Sequence, residues 1–351
     1  TAIWTGNDTS QSITNDGNSN LQPDWIWAKK RNFADANNLV DTSRGLTKYL
    51  FSDYTNAETT DSTKVQSMDT NGFSVGASNS WNDTGTSYVA WQWKAGGTSP
   101  TQTYTVKVVS DSGNKYRFDD FGTSAVTLDL QEGGTYTFDQ SDSSNSGHPL
   151  RFSTTSNGTH GGGSEYTTGV TTTGTPGSAG AKTVITVASS APTLYYYCTQ
   201  HSGMGGQANT NSLFGSSNFA GSVQSKVSAN PTAGFSIVTW GGTGSNATIG
   251  HGLGKAPKVV IVKNRDNSDN WTVYNNNLSD SKALFLQDTN AEIPTSSYNF
   301  WSLYWNQTDP TSSVFSVGVD NSVNGSGDNI VSFCLAEIEG YSKMGKYTGN
   351  G

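Results

Sequence analysis

Charged residues are scarce in this sequence. Lys, Arg, Asp and Glu make up 14% of its 351 residues, well below the roughly 25% of a typical soluble protein. Gly, Ser, Thr and Asn supply the polarity instead, and long helices are not expected because Glu, Lys, Leu and Ala are the residues that favour them. Aromatic residues are plentiful, with 10 Trp, 15 Tyr and 14 Phe. They provide enough apolar area to bury, so the composition predicts a folded chain.

Three further absences exclude whole classes of protein. The net charge is −8 with no compensating basic cluster, which argues against a nucleic-acid partner. No apolar run approaches the roughly 18 residues needed to cross a bilayer, so no membrane insertion is predicted. Cys198 and Cys334 are the only cysteines. The chain is therefore not a disulfide scaffold, and we expect no bridge between these two residues.

Two stretches of the sequence repeat each other across an unrelated middle segment. Phe73–Gly76 recurs as Phe315–Gly318 at an offset of 242 residues, and Thr55–Glu58 recurs as Thr289–Glu292 at an offset of 234. Internal repetition at a fixed offset indicates two copies of one structural unit. Each copy contains short apolar or alternating runs, such as Trp25–Trp27, that are broken by Asn, Gly, Ser and Asp. This pattern is typical of an antiparallel sandwich or jelly roll.

The two copies resemble a repeated module of tailed-phage virion proteins, especially tail-fibre and other structural proteins of phages that infect marine bacteria. The matching features are PDWIWAKKR with its counterpart APKVVIVKNR, NGFSVG, and the closing YVAWQWKAGG. The resemblance implies a lectin-like fold of the concanavalin type. It does not indicate what each copy binds, since such sandwiches are often architectural.

We therefore predict an all-β protein of three β-sandwich domains, in which two homologous concanavalin-like jelly rolls flank a different middle sandwich. Residues 1–97 form copy 1 and residues 98–208 form the middle domain. Residues 209–351 comprise a linker and copy 2, ending with what resembles the beginning of a third repeat at residues 347–351.

The middle segment carries the spacing of a metal site. It contains three of the four His and none of the ten Trp. Near its end Cys198, His201 and Met204 follow a strand-like run as Cys-x2-His-x2-Met, and His148 lies fifty residues upstream. A thiolate, two imidazoles and a weak axial thioether are the ligands of a blue-copper centre.

The segment resembles the cupredoxin family, the plastocyanin-like Greek-key sandwich, and the resemblance implies copper at these four residues. An alternative stays open, because a cupredoxin-like sandwich can serve as a building block without metal and a Cys beside three Tyr can be an ordinary core residue. If metal binds, we expect it to hold the His148 loop against the Cys198 loop.

Copy 2 contains an insertion rich in aromatic residues. The change in offset places eight extra residues between Ile293 and Val314. We expect a loop there that forms a contact with another subunit or with a glycan, or that closes the end of the sandwich core. The aromatic residues concerned are Tyr298, Phe300, Trp301, Tyr304 and Trp305.

No catalytic constellation is recognisable, and we predict that the protein is not an enzyme. The run from His251 to Ala256 has neither the glycine spacing nor the Ser or Thr of a phosphate loop, and we expect a turn there. The resemblance implies a virion structural or adhesion protein in an extracellular setting. Its expected partners are other copies of itself, other virion proteins and host-surface glycans. The alternatives are a carbohydrate-binding bacterial adhesin and a copper-binding electron-transfer protein.

Overall fold

The computed structural model describes residues 1–278, 282–289, 293–294 and 299–350. Strands dominate these residues, and the α-helices among them have only four to six residues. The prediction of an all-β protein is therefore confirmed. None of these helices is long and apolar enough to cross a membrane.

The chain divides into two compact units. The flanking unit consists of residues 1–97 (copy 1) together with residues 227–351 (copy 2), and the middle unit consists of residues 98–226. Sequence analysis assigned each copy a domain of its own, whereas in the structure both copies belong to one unit. The middle unit begins at the predicted residue and continues 18 residues beyond the predicted end at 208.

Copy 1 is a two-layer sandwich. Its elements are β1 (Ala2–Thr5), β2 (Gln11–Thr14), β3 (Trp25–Lys30), β4 (Asn38–Asp41), β5 (Lys48–Phe51), β6 (Thr59–Thr60), β7 (Val65–Asp69), β8 (Gly72–Val75), α1 (Asn79–Asn82) and β9 (Ser87–Trp93). The large sheet has the order β1-β9-β3-β4-β5-β6 and the small sheet the order β2-β8-β7. Ile26 from the large sheet and Phe73 from the small sheet lie in the core between the layers.

The middle unit is built from two further sheets. Its strands are β10 (Thr101–Ser110), β11 (Asn114–Phe118), β12 (Leu128–Gln131), β13 (Thr135–Asp139), β14 (Leu150–Ser153), β15 (Val170–Thr173), β16 (Lys182–Thr186), β17 (Leu194–Cys198), β18 (Gly206–Asn211) and β19 (Ser216–Asn218). One sheet has the order β11-β10-β13-β16-β15 and the other β12-β18-β17-β14. Tyr104, Phe118, Phe138 and Tyr196 belong to one aromatic-rich core.

Copy 2 repeats the architecture of copy 1. Its elements are β20 (Ser225–Asn230), β21 (Phe235–Gly241), β22 (Ala247–Gly250), β23 (Val259–Asn264), β24 (Thr272–Asn275), β25 (Lys282–Phe285), β26 (Ile293–Pro294), α2 (Phe300–Trp305), β27 (Val314–Val317), α3 (Asn321–Asn324) and β28 (Asn329–Leu335). The order β21-β28-β23-β24-β25-β26 matches that of the large sheet of copy 1.

The strand register also repeats, which confirms the repeat predicted from the sequence. Ala28 pairs with Ala90 in copy 1, and the equivalent Val262 pairs with Ser332 in copy 2. Two elements differ, because copy 2 has an additional strand, β20, beside β21. Copy 1 has strand β7 before β8, whereas copy 2 has helix α2 before β27. The inserted residues thus form a helix, where the sequence analysis expected a loop.

The two copies pack together through the outer faces of their large sheets. Side chains alternate along a strand, so Ile26 faces the core of copy 1 while Trp25 faces copy 2. The Trp25 ring stacks on Phe333 at a centroid distance of 4.2 Å and on Phe235 at 5.5 Å. The indole nitrogen of Trp271 donates a hydrogen bond of 2.8 Å to the carbonyl of Phe51. This shared core explains why the copies form one unit.

A partly buried ion-pair network also joins the copies. Glu58 of copy 1 pairs with Arg265 of copy 2 at 2.8 Å and with the fully buried Arg44 at 2.9 Å, and Arg44 pairs in turn with Asp41. Burial alone raises the pKa of Glu58, but the two guanidinium groups lower it below its usual value. The carboxylate of Glu58 is therefore a charged link between two cations.

His251 is a buried histidine that lies directly after β22 in the flanking unit. Its Nδ1 accepts a hydrogen bond from the backbone of Leu253 at 3.2 Å, and its Nε2 lies 3.2 Å from the carbonyl of Thr311. One neutral tautomer satisfies both contacts, whereas the imidazolium loses the first because it has no acceptor. Burial lowers the pKa of His251 from its usual 6.5.

We expect the flanking unit to lose stability as the pH falls below about 6.5, because the unfolded chain then binds a proton that the folded unit excludes. Because only one proton is involved, the free energy of unfolding should change by at most about 1.4 kcal/mol per pH unit. Urea unfolding followed by tryptophan fluorescence at several pH values measures it, since all ten Trp lie in the two copies. The variant His251→Asn should show a shallower pH dependence, and an unchanged dependence contradicts this assignment.

Candidate metal centre and aromatic cleft

The fold of the middle unit brings the predicted histidine and cysteine ligands together. Leu150 of β14 pairs with Cys198 of β17, so His148, two residues before Leu150, lies beside the end of β17. His201 and Met204 lie in the tight turn that connects β17 with β18. Gly203 has a φ of 74° in this turn, a left-handed conformation that glycine adopts without strain.

The distances within this cluster suit a metal ion. The Sγ atom of Cys198 lies 3.7 Å from Nδ1 of His201 and 3.9 Å from Nδ1 of His148. A metal about 2.3 Å from sulfur and about 2.0 Å from nitrogen, with angles near 110–120°, separates the two ligand atoms by roughly 3.5–3.7 Å. The ligand atoms of the three residues lie within 4.8 Å of one another, which is near the spacing around a single ion. Met204 is buried in the same apolar core as Cys198.

Neighbouring residues fix the histidine loop and its charge state. The Tyr116 hydroxyl and the side-chain nitrogen of Gln140 both donate to the His148 carbonyl, at 2.9 and 2.8 Å. Burial and the nearby His201 imidazole lower the pKa of His148. The neutral imidazole that a metal needs is thus favoured. Sequence reasoning missed Tyr116 and Gln140, because a residue that supports a loop from another strand leaves no local motif.

The four predicted ligands differ in exposure. Cys198 and Met204 are buried, His148 is half-buried and His201 is exposed. The cluster therefore lies at the edge of the sandwich, with one imidazole at the surface. His160, which the sequence did not connect with this site, has its Nε2 atom 3.0 Å from the carbonyl of Cys198. Its contact is with the backbone of the turn, and the group of neighbouring ligand atoms consists of His148, Cys198 and His201. Cys334, in the flanking unit, is also a free, buried thiol.

The aromatic insertion of copy 2 contributes to both a core and a cleft. Asn299 caps α2 by accepting from the backbone of Ser302 at 3.2 Å. Tyr304 and Trp305 are buried beneath the helix, whereas Phe300 and Trp301 are half-buried. Tyr298 lies outside the described residues. Two of the five predicted contact residues thus belong to the core of their own copy.

A cleft of about 250 Å³ lies between α2 and strand β24. Tyr274 of β24 stacks against Trp301 with the ring centroids 6.2 Å apart, and its hydroxyl donates to Asp309 at 2.8 Å. The cleft is also lined by Lys258, Asn275 and Asn276. Aromatic faces beside amide, carboxylate and ammonium groups are suited to a ligand with both apolar and hydroxylated surfaces, such as a sugar.

The cleft is confined to copy 2. Trp301 and Trp305 belong to the insertion, and the position equivalent to Tyr274 in copy 1 is Val40. Sequence reasoning identified the two Trp residues from their density in the insertion. It did not identify Tyr274 or Asp309, because residues on a separate strand and a separate loop share no spacing with the insertion.

One family model matches the chain, that of a domain of unknown function (DUF7483), over residues 1–118 and 207–351. No curated protein and no solved structure matches it. The match includes both copies and the cleft, whereas His148, Cys198, His201 and Met204 all lie in the unmatched middle. One model thus spans the two repeats that the structure joins through a common core. Since the match covers well over half of the residues, the chain belongs to the DUF7483 family.

Proposed function

We propose that the protein is a non-enzymatic structural and adhesion protein of a tailed-phage virion. The observation that carries this proposal is the fusion of two copies of one sandwich into a single unit. Stacked sheets joined by an aromatic core and buried ion pairs resist deformation, as a part of a fibre, appendage or capsid surface must. The resemblance of the repeat to tail-fibre modules supports the same assignment. In this proposal the cleft of copy 2 is the adhesive surface.

The proposal is tested on particles from the native source. Immunogold electron microscopy and mass spectrometry of purified virions should find the protein in a fixed number of copies per particle. Detection only in the soluble fraction, or on the surface of a bacterium, contradicts the virion assignment and supports the bacterial adhesin instead.

The adhesive role is tested by substitution in the cleft. Particles that carry Trp301→Ser should contain the normal amount of protein but attach to host cells at least about tenfold more weakly, since buried aromatic anchors dominate such contacts. A matched control is Tyr54→Ser, which changes an aromatic side chain of copy 1 that is 50% exposed. Equal attachment by both variants contradicts the role of the cleft.

A second function, the binding of a soft metal such as copper, is supported by the geometry of the middle unit. His148, Cys198, His201 and Met204 are the residues that would hold the ion. When bound, copper supplies a strong crosslink between thiolate and imidazole and a redox-active centre. The residues of the chain contribute the preset spacing, the neutral imidazole and the buried thiol. This function is compatible with a structural role, because the ion links two loops of the sandwich.

The expected result of adding Cu(II) to the purified protein at neutral pH is a visible charge-transfer band and a higher unfolding temperature. An ion whose concentration is 100 times its dissociation constant stabilises the folded protein by about 2.7 kcal/mol. Cys198→Ser should abolish the band and the stabilisation, because it removes the thiolate. The control Cys334→Ala removes the other thiol and should retain both. A band that survives Cys198→Ser overturns the assignment.

A further inference from the structure

Copy 1 buries a lysine directly against an asparagine. The Nζ atom of Lys64 donates a hydrogen bond of 3.0 Å to the amide oxygen Oδ1 of Asn38. Lys64 is 7% exposed and Asn38 is 3% exposed. A lysine is almost never buried to this extent unless it is paired. The hydrogen-bond partner here is a neutral amide, and the carboxylate of Asp61 lies 4.0 Å from Nζ.

The two residues belong to different layers of the copy 1 sandwich. Asn38 is the first residue of β4 in the large sheet, and Lys64 directly precedes β7 in the small sheet. The amide nitrogen of Asn38 donates to the carbonyl of Ala36 at 2.9 Å, which keeps the amide oxygen toward Lys64. A covalent bond between these side chains would therefore join the two layers.

The surroundings of the amine favour its nucleophilic form. Nζ of Lys64 lies 4.4 Å from the ring centroid of Tyr49 and 5.1 Å from that of Phe51. Burial lowers the pKa of Lys64 below its usual value, and the carboxylates of Asp61 and Asp35 offset this only in part. A lowered pKa increases the fraction of neutral amine, the form that attacks a carbonyl carbon.

The carbon that such an amine attacks lies close to it. In an amide the carbon is about 1.2 Å from its oxygen, so Cγ of Asn38 lies within about 4.2 Å of Nζ of Lys64. Reacting atoms in a near-attack geometry are about 3–3.5 Å apart, which a small rotation of either side chain achieves. Ser62 and Thr63, next to Lys64 in the chain, are exposed, so a small leaving group can reach solvent.

We propose that Lys64 and Asn38 form an intramolecular isopeptide bond. Nζ of Lys64 attacks Cγ of Asn38, the Nζ–Cγ bond forms and the Cγ–Nδ2 bond breaks. One of the two protons of the neutral amine passes through the carboxylate of Asp61 to Nδ2, which leaves as ammonia. No oxidant or reductant is needed, because one amide is exchanged for another. The crosslink goes beyond the proposed function and does not depend on it.

Two other sites in the chain show what the bond requires. Lys29 donates to Oδ1 of Asn37 at the same distance of 3.0 Å, but Lys29 is exposed, so water solvates its ammonium group. In copy 2, Thr272 occupies the position of Asn38, since each pairs with the equivalent residue of the neighbouring strand. A hydroxyl replaces the amide there. The bond is therefore expected in copy 1 and only at the buried pair.

Intact-mass spectrometry of the purified full chain tests the bond. The wild type should weigh one ammonia less than its sequence requires, whereas Lys64→Arg and Asn38→Ala should have their full sequence masses. Lys29→Arg is the matched control, and it should lose ammonia like the wild type. A wild-type chain with its full sequence mass overturns the proposal, whether or not the protein is found in virions.

Tryptic peptide mapping of the wild type locates the bond without any variant. Trypsin does not cleave after an acylated lysine, so the peptide Asn32–Arg44 should be joined to the peptide Tyr49–Lys94. Recovery of Tyr49–Lys64 and Val65–Lys94 as separate peptides overturns the proposal. An ammonia loss that maps to a different asparagine also overturns it.

The role of Asp61 is measured by following the intact mass with time after cell-free synthesis. Asp61→Asn should form the bond at least about tenfold more slowly, because a positioned carboxylate no longer transfers the proton. Asp35→Asn changes the other carboxylate near Lys64 and should form the bond at least as fast as the wild type. Equal rates for Asp61→Asn and the wild type overturn the proton-transfer step.

Discussion

Replacing Trp25 with alanine is expected to destabilise the flanking unit by about 3–5 kcal/mol, the range for large aromatic side chains removed from a core. Trp25 is 1% exposed, and its ring contacts Trp93 at 4.4 Å in addition to the two Phe rings of copy 2. The substitution leaves a cavity between two rigid sheets, which cannot close around it without shifting whole strands. Urea unfolding followed by tryptophan fluorescence measures the change.

Trp91→Ala is the matched control for Trp25→Ala. Trp91 lies on the same face of the same sheet but is 41% exposed. In dilute protein, its removal should therefore lower the free energy of unfolding far less than the removal of Trp25 does. A second readout is the middle unit, whose unfolding should not change because Trp25 is not part of it. Similar destabilisation by the two substitutions contradicts the view that Trp25 fastens the copies together.

Replacing Glu58 with glutamine is expected to lower the free energy of unfolding by about 1–3 kcal/mol, because Glu58 and Arg265 are half-buried and the loss is that of hydrogen bonds between charged groups. Arg44 keeps Asp41 as a partner, but Arg265 loses the carboxylate to which it donates two hydrogen bonds, of 2.9 and 2.8 Å. The folded pKa of Glu58 is lowered. The contribution of Glu58 to the free energy of unfolding is therefore fully present above about pH 4.3, the pKa of this group in the unfolded chain. It is lost as the pH falls through the lower pKa that Glu58 has in the folded protein.

Acid titration distinguishes Glu58→Gln from a simple packing defect. The wild-type and variant stabilities should converge at low pH, where Glu58 of the wild type is also neutral. Asp35→Asn is the control, because it removes the 2.9 Å partner of Lys30 at a more exposed site and should change stability only slightly. A constant difference between wild type and Glu58→Gln across the titration argues against a charge effect.

The strands and the repeat could be predicted because they depend on local patterns. Phe73 of copy 1 and Phe315 of copy 2 occupy equivalent positions, and the strands that contain them pair in the same register. The proximity of Cys198 and His201 was predictable for a related reason, since only two residues separate them in the sequence. His148 required the family resemblance, because its position depends on the pairing of two strands fifty residues apart.

The fusion of the two copies was missed, although the sequence carried a signal for it. The run Val259–Val262 is apolar at every position, and a strand without polar alternation is covered on both faces. Helix α2 also had a signal, because Phe300, Trp301, Tyr304 and Trp305 follow the spacing of one helical face. The cleft could not be derived in this way. Asp309 reaches Tyr274 only through tertiary folding, and neither residue has a distinctive local context.

The interruption of the family domain by the middle unit has a consequence for synthesis. Gly96 of copy 1 donates a 2.9 Å hydrogen bond to Ser228 of copy 2, so the flanking unit closes across 132 positions of intervening chain. Contacts of such sequence separation form slowly, and chains emerge from the ribosome with the N-terminal part first. All residues of the middle unit are translated before copy 2 exists. We therefore expect that unit to fold during translation while copy 1 still exposes Trp25, which makes the nascent chain dependent on chaperones until its last strand appears.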